Sequence, residues 1–358
     1  MQIQYIFVHG LSGWGSYDEQ YEKRPYWGMK NGDLMVYLRG LGYDCHAASV
    51  APKGSAWDRA CELYAQLAGT VTDYGQLHSE KAGHPRFGKD FTGCPLIPVW
   101  DEDHPIVLIG HSFGGATVRL FSHLLAYGNT EEAEAAENSS AFFHGAKGSL
   151  IRGTAILAAP SNGTTAYDLY QDPDFDVSKV KIPPVYRLFA KLMAASGKVQ
   201  PDRAEWDYAA YDMHIDIVDR MNREIRMIPE AYYWSYPACV TDPKGDVQYP
   251  RIAETEQIYV QASIRMGAYE GTSRGGIPLG KEWQSNDGLV NTISAAAPSH
   301  APAKAYEPGN VTPGVWNIMP VWPHDHMSFQ GGLMRRFDIF PFYRQMMKMI
   351  DDTLKKEQ

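Results

Sequence analysis

No stretch of about 18 consecutive apolar residues occurs in this chain, so nothing in it reads as a membrane-crossing helix. Basic blocks are missing too. The 33 lysines and arginines are scattered among 42 aspartates and glutamates, giving a formal net charge of −9. That balance argues against nucleic acid or an anionic membrane surface as the main partner. Cysteine is scarce: Cys45, Cys61, Cys94 and Cys239 lie far apart and form no C-x-x-C. They are too few and too scattered for a disulfide framework, and each is expected to be a small buried hydrophobe. The opening residues "MQIQYIFVHG" enter a strand pattern at once, with no basic segment followed by an apolar stretch and a cleavage site. From these residues the expectation is either a cytoplasmic protein or one whose secretion leader has been removed.

What the chain does have is core-forming material. A hydrophobic fraction of 44% and 12% aromatics over 358 residues place it among globular proteins able to bury a sizeable core. Short apolar runs recur, each ending in glycine or a small polar cluster. "YIFVHG" (5–10), "PIVLIGHS" (105–112), "GTAILAAP" (153–160) and "QIYVQAS" (257–263) read as strands buried on both faces, as a parallel sheet requires. Helix-period segments lie between and after them: "GDLMVYLRGLG", "WDRACELYAQL", "GATVRLFSHLL" and the C-terminal "FPFYRQMMKMIDDTLKK". Their alternation predicts an α/β domain spanning 1–358, a mostly parallel sheet with helices on both faces. Two spans break the alternation and are expected to be insertions: 70–104, and the Trp- and Tyr-rich 164–250. Within the second, "VYRLFAKLMAA" is amphipathic at helical spacing and predicts a cap or lid helix over 185–195.

"GHSFG" (110–114) follows a predicted buried strand and runs directly into a predicted helix. In that context a G-x-S-x-G is a nucleophile elbow, because a sharp strand-to-helix turn exposes the serine and tolerates only glycine beside it. Ser112 would then stand at a helix N-terminus, where free N–H groups favour a developing oxyanion. Such a serine needs an acid and a base, following it in that order. Asp287 in "QSNDGLVNT" is the candidate acid, and the adjacent Asp325 is a poorer one because it would have to turn back onto its neighbour. His326 in "WPHDHMSF" is the candidate base, with His324 as its rival. His326 would take the serine proton and return it to the leaving alcohol while Asp287 fixes the imidazole tautomer. The backbone N–H groups of Phe113 and Leu11 are the expected oxyanion donors.

"LHSEKAGHPRFG" (77–88) carries His78 and His84 in a polar segment of no clear period. By spacing alone it reads as a solvated loop. Together, however, "VHGLSGWG", "WDRACELYAQL", "HPRFG", "GHSFGG", "APSNGTT", "NDGLVNT" and "GVWN…DH" resemble the zinc-containing lipases of thermophilic bacilli, with staphylococcal lipases and clostridial polyesterases as relatives. The resemblance covers most of the chain and is weakest at about 165–200. It implies an α/β-hydrolase fold with a helical cap, secretion, and a structural zinc held by two aspartates and two histidines. The matching positions are Asp58, His78, His84 and Asp212. Oxygen and nitrogen ligands suit Zn²⁺, and four protein ligands leave no position for water, which makes the metal structural. Calcium is not carried over, since Ser328 stands where the family has Glu and "FQGGLMRR" contains no acid. Phe113 replaces the glutamine of the thermophilic enzymes and is expected to make the acyl site more apolar.

The function these residues imply is a serine carboxylic ester hydrolase, a lipase acting on apolar acyl esters at a lipid–water interface. A short-chain carboxylesterase or polyesterase with an open cleft is the alternative. A binding protein that kept the fold but lost turnover is a third reading, disfavoured by the complete Ser112, Asp287 and His326 set.

Overall fold

Side-chain alternation along single strands decides the layering. In Gln4–Val8, the first strand, Tyr5 and Phe7 enter one core while Ile6 and Val8 enter another on the opposite face. The computed structural model describes residues 1–169, 171–188, 202–334 and 336–355. Within it seven strands form one sheet: β1 (Gln4–Val8), β2 (Asp44–Ala48), β3 (Ile106–His111), β4 (Ile151–Leu157), β5 (Tyr232–Tyr236), β6 (Ala303–Ala305) and β7 (Trp316–Ile318). They lie in the order β6-β7-β5-β4-β3-β1-β2, and every neighbouring pair is parallel. A parallel sheet must be covered on both faces. Of the helices α1 (Leu34–Gly40), α2 (Ala56–Ala68), α3 (Phe113–Tyr127), α4 (Ile215–Glu224), α5 (Gln257–Ala268) and α6 (Phe340–Leu354), the first three and α6 cover the sheet, while α4 and α5 bury their apolar residues in smaller separate clusters.

On one face, Leu34, Met35 and Leu38 of α1 and Tyr343, Met346, Met347, Ile350 and Leu354 of α6 pack against Phe7, Ile109, Leu157 and Trp234. The α6 stripe is the one its sequence spacing predicts. On the other face, Ala60, Leu63 and Leu67 of α2 and Val118, Phe121 and Leu125 of α3 pack against Ile6, Val8, Leu108 and Ile156. The α/β architecture expected from the alternation is therefore present.

Three expectations need correcting. "QIYVQAS" is not a strand; it opens helix α5. The run 257–263 is too short to separate the two periods, but the buried set Val260, Ser263, Ile264 and Gly267 follows i, i+3, i+4, i+7 once the segment is read to its end. The span 164–250 is not purely an insertion, because "YYWSY" supplies β5 in the middle of the sheet. Aromatics are good strand formers, and here they serve both faces: Tyr232, Trp234 and Tyr236 in one core, Tyr233 in the other. Cysteine is only half as expected, since Cys45 and Cys61 are buried but Cys94 is exposed. The cap helix falls largely outside the described residues. Positions 184–188 are helical, with Val185 and Leu188 exposed.

Helix α5 packs on the antiparallel hairpin formed by Thr241–Lys244 and Val247–Pro250, and Gly267 is the point of closest approach. A Cβ there would run into the main-chain carbonyl of Gln248. Helix propensity alone favours alanine over glycine by about 1 kcal/mol, whereas forcing a methyl against backbone costs about 1–3 kcal/mol. Gly267→Ala is therefore expected to destabilise the protein by up to about 2 kcal/mol in urea unfolding, the clash outweighing the propensity gain. A rise in the urea midpoint would mean that the hairpin does not press on the helix there.

Candidate active site and metal centre

The end of β3 turns sharply into α3, and Ser112 forms the turn with φ 55° and ψ −129°. A non-glycine residue tolerates this conformation only when its surroundings enforce it. The glycines beside it provide the space. A Cβ on Gly110 would lie 2.5 Å from the Gly114 carbonyl oxygen, and one on Gly114 would meet the carbonyl oxygen of Val8. Gly10, just past β1, sits so close that its Cβ would stand 2.8 Å from that of Ser112. Because β1 and β3 are parallel neighbours, the loop after one and the turn after the other meet at the same edge of the sheet. Phe113 is the first residue of α3, so its N–H has no intrahelical acceptor. Leu11 lies in the loop that follows β1 and is exposed.

His326 Nδ1 lies 2.8 Å from Asp287 Oδ2, and both residues are buried. The other carboxylate oxygen, Asp287 Oδ1, accepts from the N–H groups of Leu289 (3.0 Å) and Val290 (2.8 Å). Main-chain bonding reinforces the pair, with His326 N–H donating to the Asp287 carbonyl at 2.9 Å. The structure thus brings Asp287 and His326 together, as expected. The rivals go elsewhere. Asp325 Oδ2 accepts from Glu256 N–H at 2.7 Å, and burial pushes its carboxyl up to about 7. The His324 ring meets Trp322 edge-on and Phe337 at a tilt.

Sequence reading missed a hydrogen-bond chain running behind this site. Gly10 N–H donates to the Tyr26 hydroxyl (3.0 Å). Tyr26 O–H and His111 Nδ1 are 2.7 Å apart, and His111 Nε2 lies 3.0 Å from the carbonyl of His326. A carbonyl can only accept, so His111 carries its proton on Nε2 and accepts from Tyr26 at Nδ1. Burial, and next the nearby His326, hold His111 well below the usual imidazole range. The chain links the loop after β1, the residue before Ser112, and the main chain of His326, whose ring centroid is 4.9 Å from that of His111. The only sequence signal was the histidine within "GHSFG" itself.

Phe113 departs from expectation in one respect. Its ring has no exposed surface. It packs with Ala56, Ala209 and Met213, under the guanidinium of Arg59 at 5.2 Å. The side chain joins α3 to the neighbouring segments and does not line an open acyl site.

A second cluster lies across α2. Asp58 sits in the first turn of that helix, whose N-cap Ser55 Oγ accepts from Asp58 N–H at 3.2 Å. His78 stands in the short helix Gln76–Ala82, and His84 follows just past its C-cap Gly83. The fourth member is Asp207, from the short 3-10 turn Glu205–Asp207. Ligand atoms of these four lie within 4.8 Å of one another. Asp212 is not among them, which corrects the expectation drawn from resemblance. Its Oδ2 accepts from Ala56 N–H at 2.7 Å, fixing it to the start of α2 instead. A usable signal did exist. Asp58 and Asp207 each follow a tryptophan, and Trp57 and Trp206 both pack on the His78 ring, with centroids 5.2 Å and 5.4 Å away.

The cluster fits a cation. His78 Nε2 lies 3.1 Å from Asp58 Oδ1 and 3.2 Å from Asp207 Oδ1; His84 Nε2 lies 3.6 Å and 3.2 Å from the same two residues. Metal–ligand bonds of about 2.0–2.2 Å in a tetrahedron give edges of about 3.3–3.6 Å. His84 Nδ1 bonds the Pro85 carbonyl at 2.8 Å, so a neutral ring turns the lone pair of Nε2 inward. Among the described residues, buried His84 Nε2 and Asp207 Oδ1 have no hydrogen-bond partner, although opposing ligand atoms are close. Lone pairs converging on one point give that pattern. Arg203 bonds both carboxylates from outside.

Residues 2–190 match the family described as lipase-like, C-terminal domain. The chain is 30% identical to Lipase 2 of Staphylococcus aureus over 358 residues, which is 91% of this chain and 50% of that protein. To the lipase of Staphylococcus hyicus it is 29% identical, over 91% of this chain and 53% of the relative. It spans about half the length of the curated relatives it matches. Among solved structures, EstA from Clostridium botulinum is similar with a TM-score of 0.82 and 27% identity, covering 98% of this chain and 87% of that one. Lipase 1 from Pelosinus fermentans has a TM-score of 0.77 and 28% identity, covering 96% and 97%. With an all-parallel sheet, a strained Ser112 between strand and helix, and a match over more than half its length, the chain belongs to the lipase-like C-terminal domain family.

Proposed function

We propose that this protein is a serine carboxylic ester hydrolase, most closely a lipase on apolar acyl esters, working through an acyl-Ser112 intermediate. The observation that carries the reading is the buried His326–Asp287 pair at 2.8 Å beside the strained Ser112 turn. Ser112 Oγ attacks the acyl carbon as His326 Nε2 takes its proton, and the carbonyl oxygen becomes an oxyanion facing the Phe113 and Leu11 N–H groups. The tetrahedral species collapses as His326 returns the proton to the leaving alcohol. Water then repeats the sequence and releases the acid. Asp287, oriented by the Leu289 and Val290 N–H groups, holds the Nδ1–H tautomer and stabilises the imidazolium. The exposed Val185 and Leu188 favour contact with an apolar interface over a fully hydrophilic rim.

Initial rates on p-nitrophenyl esters from acetate to palmitate test this reading. A maximum at medium or long chains is expected, with Ser112→Ala lowering turnover by at least about 10⁴-fold and Asp287→Asn by roughly 10³–10⁴-fold. A maximum at the shortest esters would move the protein to the esterase or polyesterase reading. Silence across the series would sink both. Tyr26→Phe removes the hydroxyl shared by Gly10 and His111. It is expected to lower kcat several-fold with little change in KM and to cost about 1–3 kcal/mol of stability. Unchanged kcat and stability would leave that chain without a positioning role.

Zinc is the metal proposed for Asp58, His78, His84 and Asp207, since the donor set is hard oxygen and imidazole nitrogen in a closed four-ligand arrangement. Its contribution when bound is structural, neutralising two buried carboxylates and fixing the segment around Asp207 to α2. Elemental analysis of protein prepared without chelator should give close to one zinc per chain, and chelation should lower Tm. Asp207→Ala should lose the metal while Asp212→Ala keeps it. The opposite pattern would restore Asp212 as the ligand.

A further inference from the structure

Helix α3 buries a cation that no carboxylate among the described residues pairs with. Arg119 is only 8% exposed. Its one side-chain hydrogen bond among the described residues runs from Nη2 to Asn222 Oδ1 on α4, at 2.6 Å. The orientation of Asn222 is settled by its other end. Nδ2 donates to the Ser161 carbonyl (2.9 Å), Asn162 Oδ1 (3.1 Å) and Ser299 Oγ (2.9 Å), which leaves Oδ1 facing the guanidinium. Burial lowers Arg119 to about 10, still charged at neutral pH. A buried guanidinium with one neutral partner is costly unless something else supplies negative charge.

Arg119 lines a cavity of about 490 Å³ together with Ser122, Arg223, Arg226, Ser299 and His300, and among the described residues no Asp or Glu lines it. In a chain of net charge −9 that is an unusual enclosure. Asp219, the nearest acid in the bonding pattern, is already committed, to Arg223 at 2.9 Å and His300 at 3.0 Å. Arg226 forms no ion pair among the described residues. Its guanidinium lies over the Tyr127 ring at 3.8 Å, and its main-chain N–H donates to His123 Nδ1 at 3.0 Å. None of Ser112, Asp287 and His326 lines the cavity, and Arg119 is seven residues, about 10 Å, along α3 from Ser112.

We propose that this cavity is a binding site for a small oxyanion, a phosphate monoester or a carboxylate, with Arg119 as the inner anchor and Arg226 at the mouth. The planar guanidinium fork matches either group in a bidentate arrangement. Ser299 Oγ accepts from Asn222 Nδ2 and so keeps its proton for a ligand, whereas the Ser122 hydroxyl donates to the Val118 carbonyl at 2.7 Å; the volume suits a ligand of small-metabolite size.

Thermal unfolding and calorimetric titration of the full chain with inorganic phosphate, and separately with acetate, test the site at ionic strength held constant with sodium chloride. A saturable rise in Tm is expected. Arg226→Gln, at an exposed position, should weaken the binding about tenfold, Arg119→Gln should abolish it, and Ser112→Ala should leave it unchanged. Phosphate saturating first assigns a phosphate ligand, and acetate saturating first assigns a carboxylate. The proposal is overturned if neither ion exceeds the effect of chloride, or if Arg226→Gln titrates like the unsubstituted protein. Because Ser112→Ala is inactive under the proposed hydrolase reading yet keeps this site, the two readings fail separately.

Discussion

Close approach of backbone to backbone at the Ser112 turn is the constraint on which the rest of the site depends. The start of α3 touches the end of β1 so tightly that Gly114 has no room for a Cβ beside the Val8 carbonyl, and Gly10 none beside Ser112. Parallel pairing of β1 with β3 makes this possible, because it puts both C-terminal strand ends at one edge. The candidate nucleophile and the candidate oxyanion loop therefore come from adjacent strands and need no long connecting network. His326 arrives from far along the chain. It is secured by Asp287 through both its ring and its main-chain N–H, and by His111 through its carbonyl. Strain at one residue is thus held in place by packing that spans the whole sheet edge.

The metal cluster and this edge share one helix. Consecutive residues of α2 divide the work: Asp58 turns to the two histidines, and Arg59 turns inward. Arg59 is buried, donates to the Ala51 carbonyl (3.0 Å) and Thr117 Oγ1 (2.8 Å), and also bonds the His9 carbonyl. It lies over the Phe113 ring as well. A change in how α2 sits would reach both the loop after β1 and the first turn of α3. A structural cation bound across Asp58 and Asp207 would accordingly steady the site through α2 without contacting a substrate.

Much of this was legible in residues. The elbow could be read from "GHSFG" because a buried strand and a helix flank it, and both flanks carry strong periodicity. Asp287 and His326 followed from their order and from turn residues around them. What failed did so for identifiable reasons. The start of α5 looked like a strand because its first seven residues hold too few turns of helix to display the 3.6 period. β5 hid inside an aromatic segment whose composition suggested a cap. Asp212 was preferred to Asp207 because the two lie five residues apart, and spacing cannot say which carboxylate turns inward. The Tyr26–His111 chain and the Arg119 cavity are tertiary, the first assembled from residues between Gly10 and His326 and the second from residues between Arg119 and Trp316, and neither follows a local period.

The central claim is that Ser112 is the nucleophile of an ester hydrolase. The most direct test is intact-mass and peptide mass spectrometry after reaction with a p-nitrophenyl alkylphosphonate, which traps an activated serine as a stable covalent ester. One phosphonyl group per chain, mapped to Ser112 and absent from Ser112→Ala, is the predicted result. No adduct, or an adduct on another residue that survives the substitution, would contradict it.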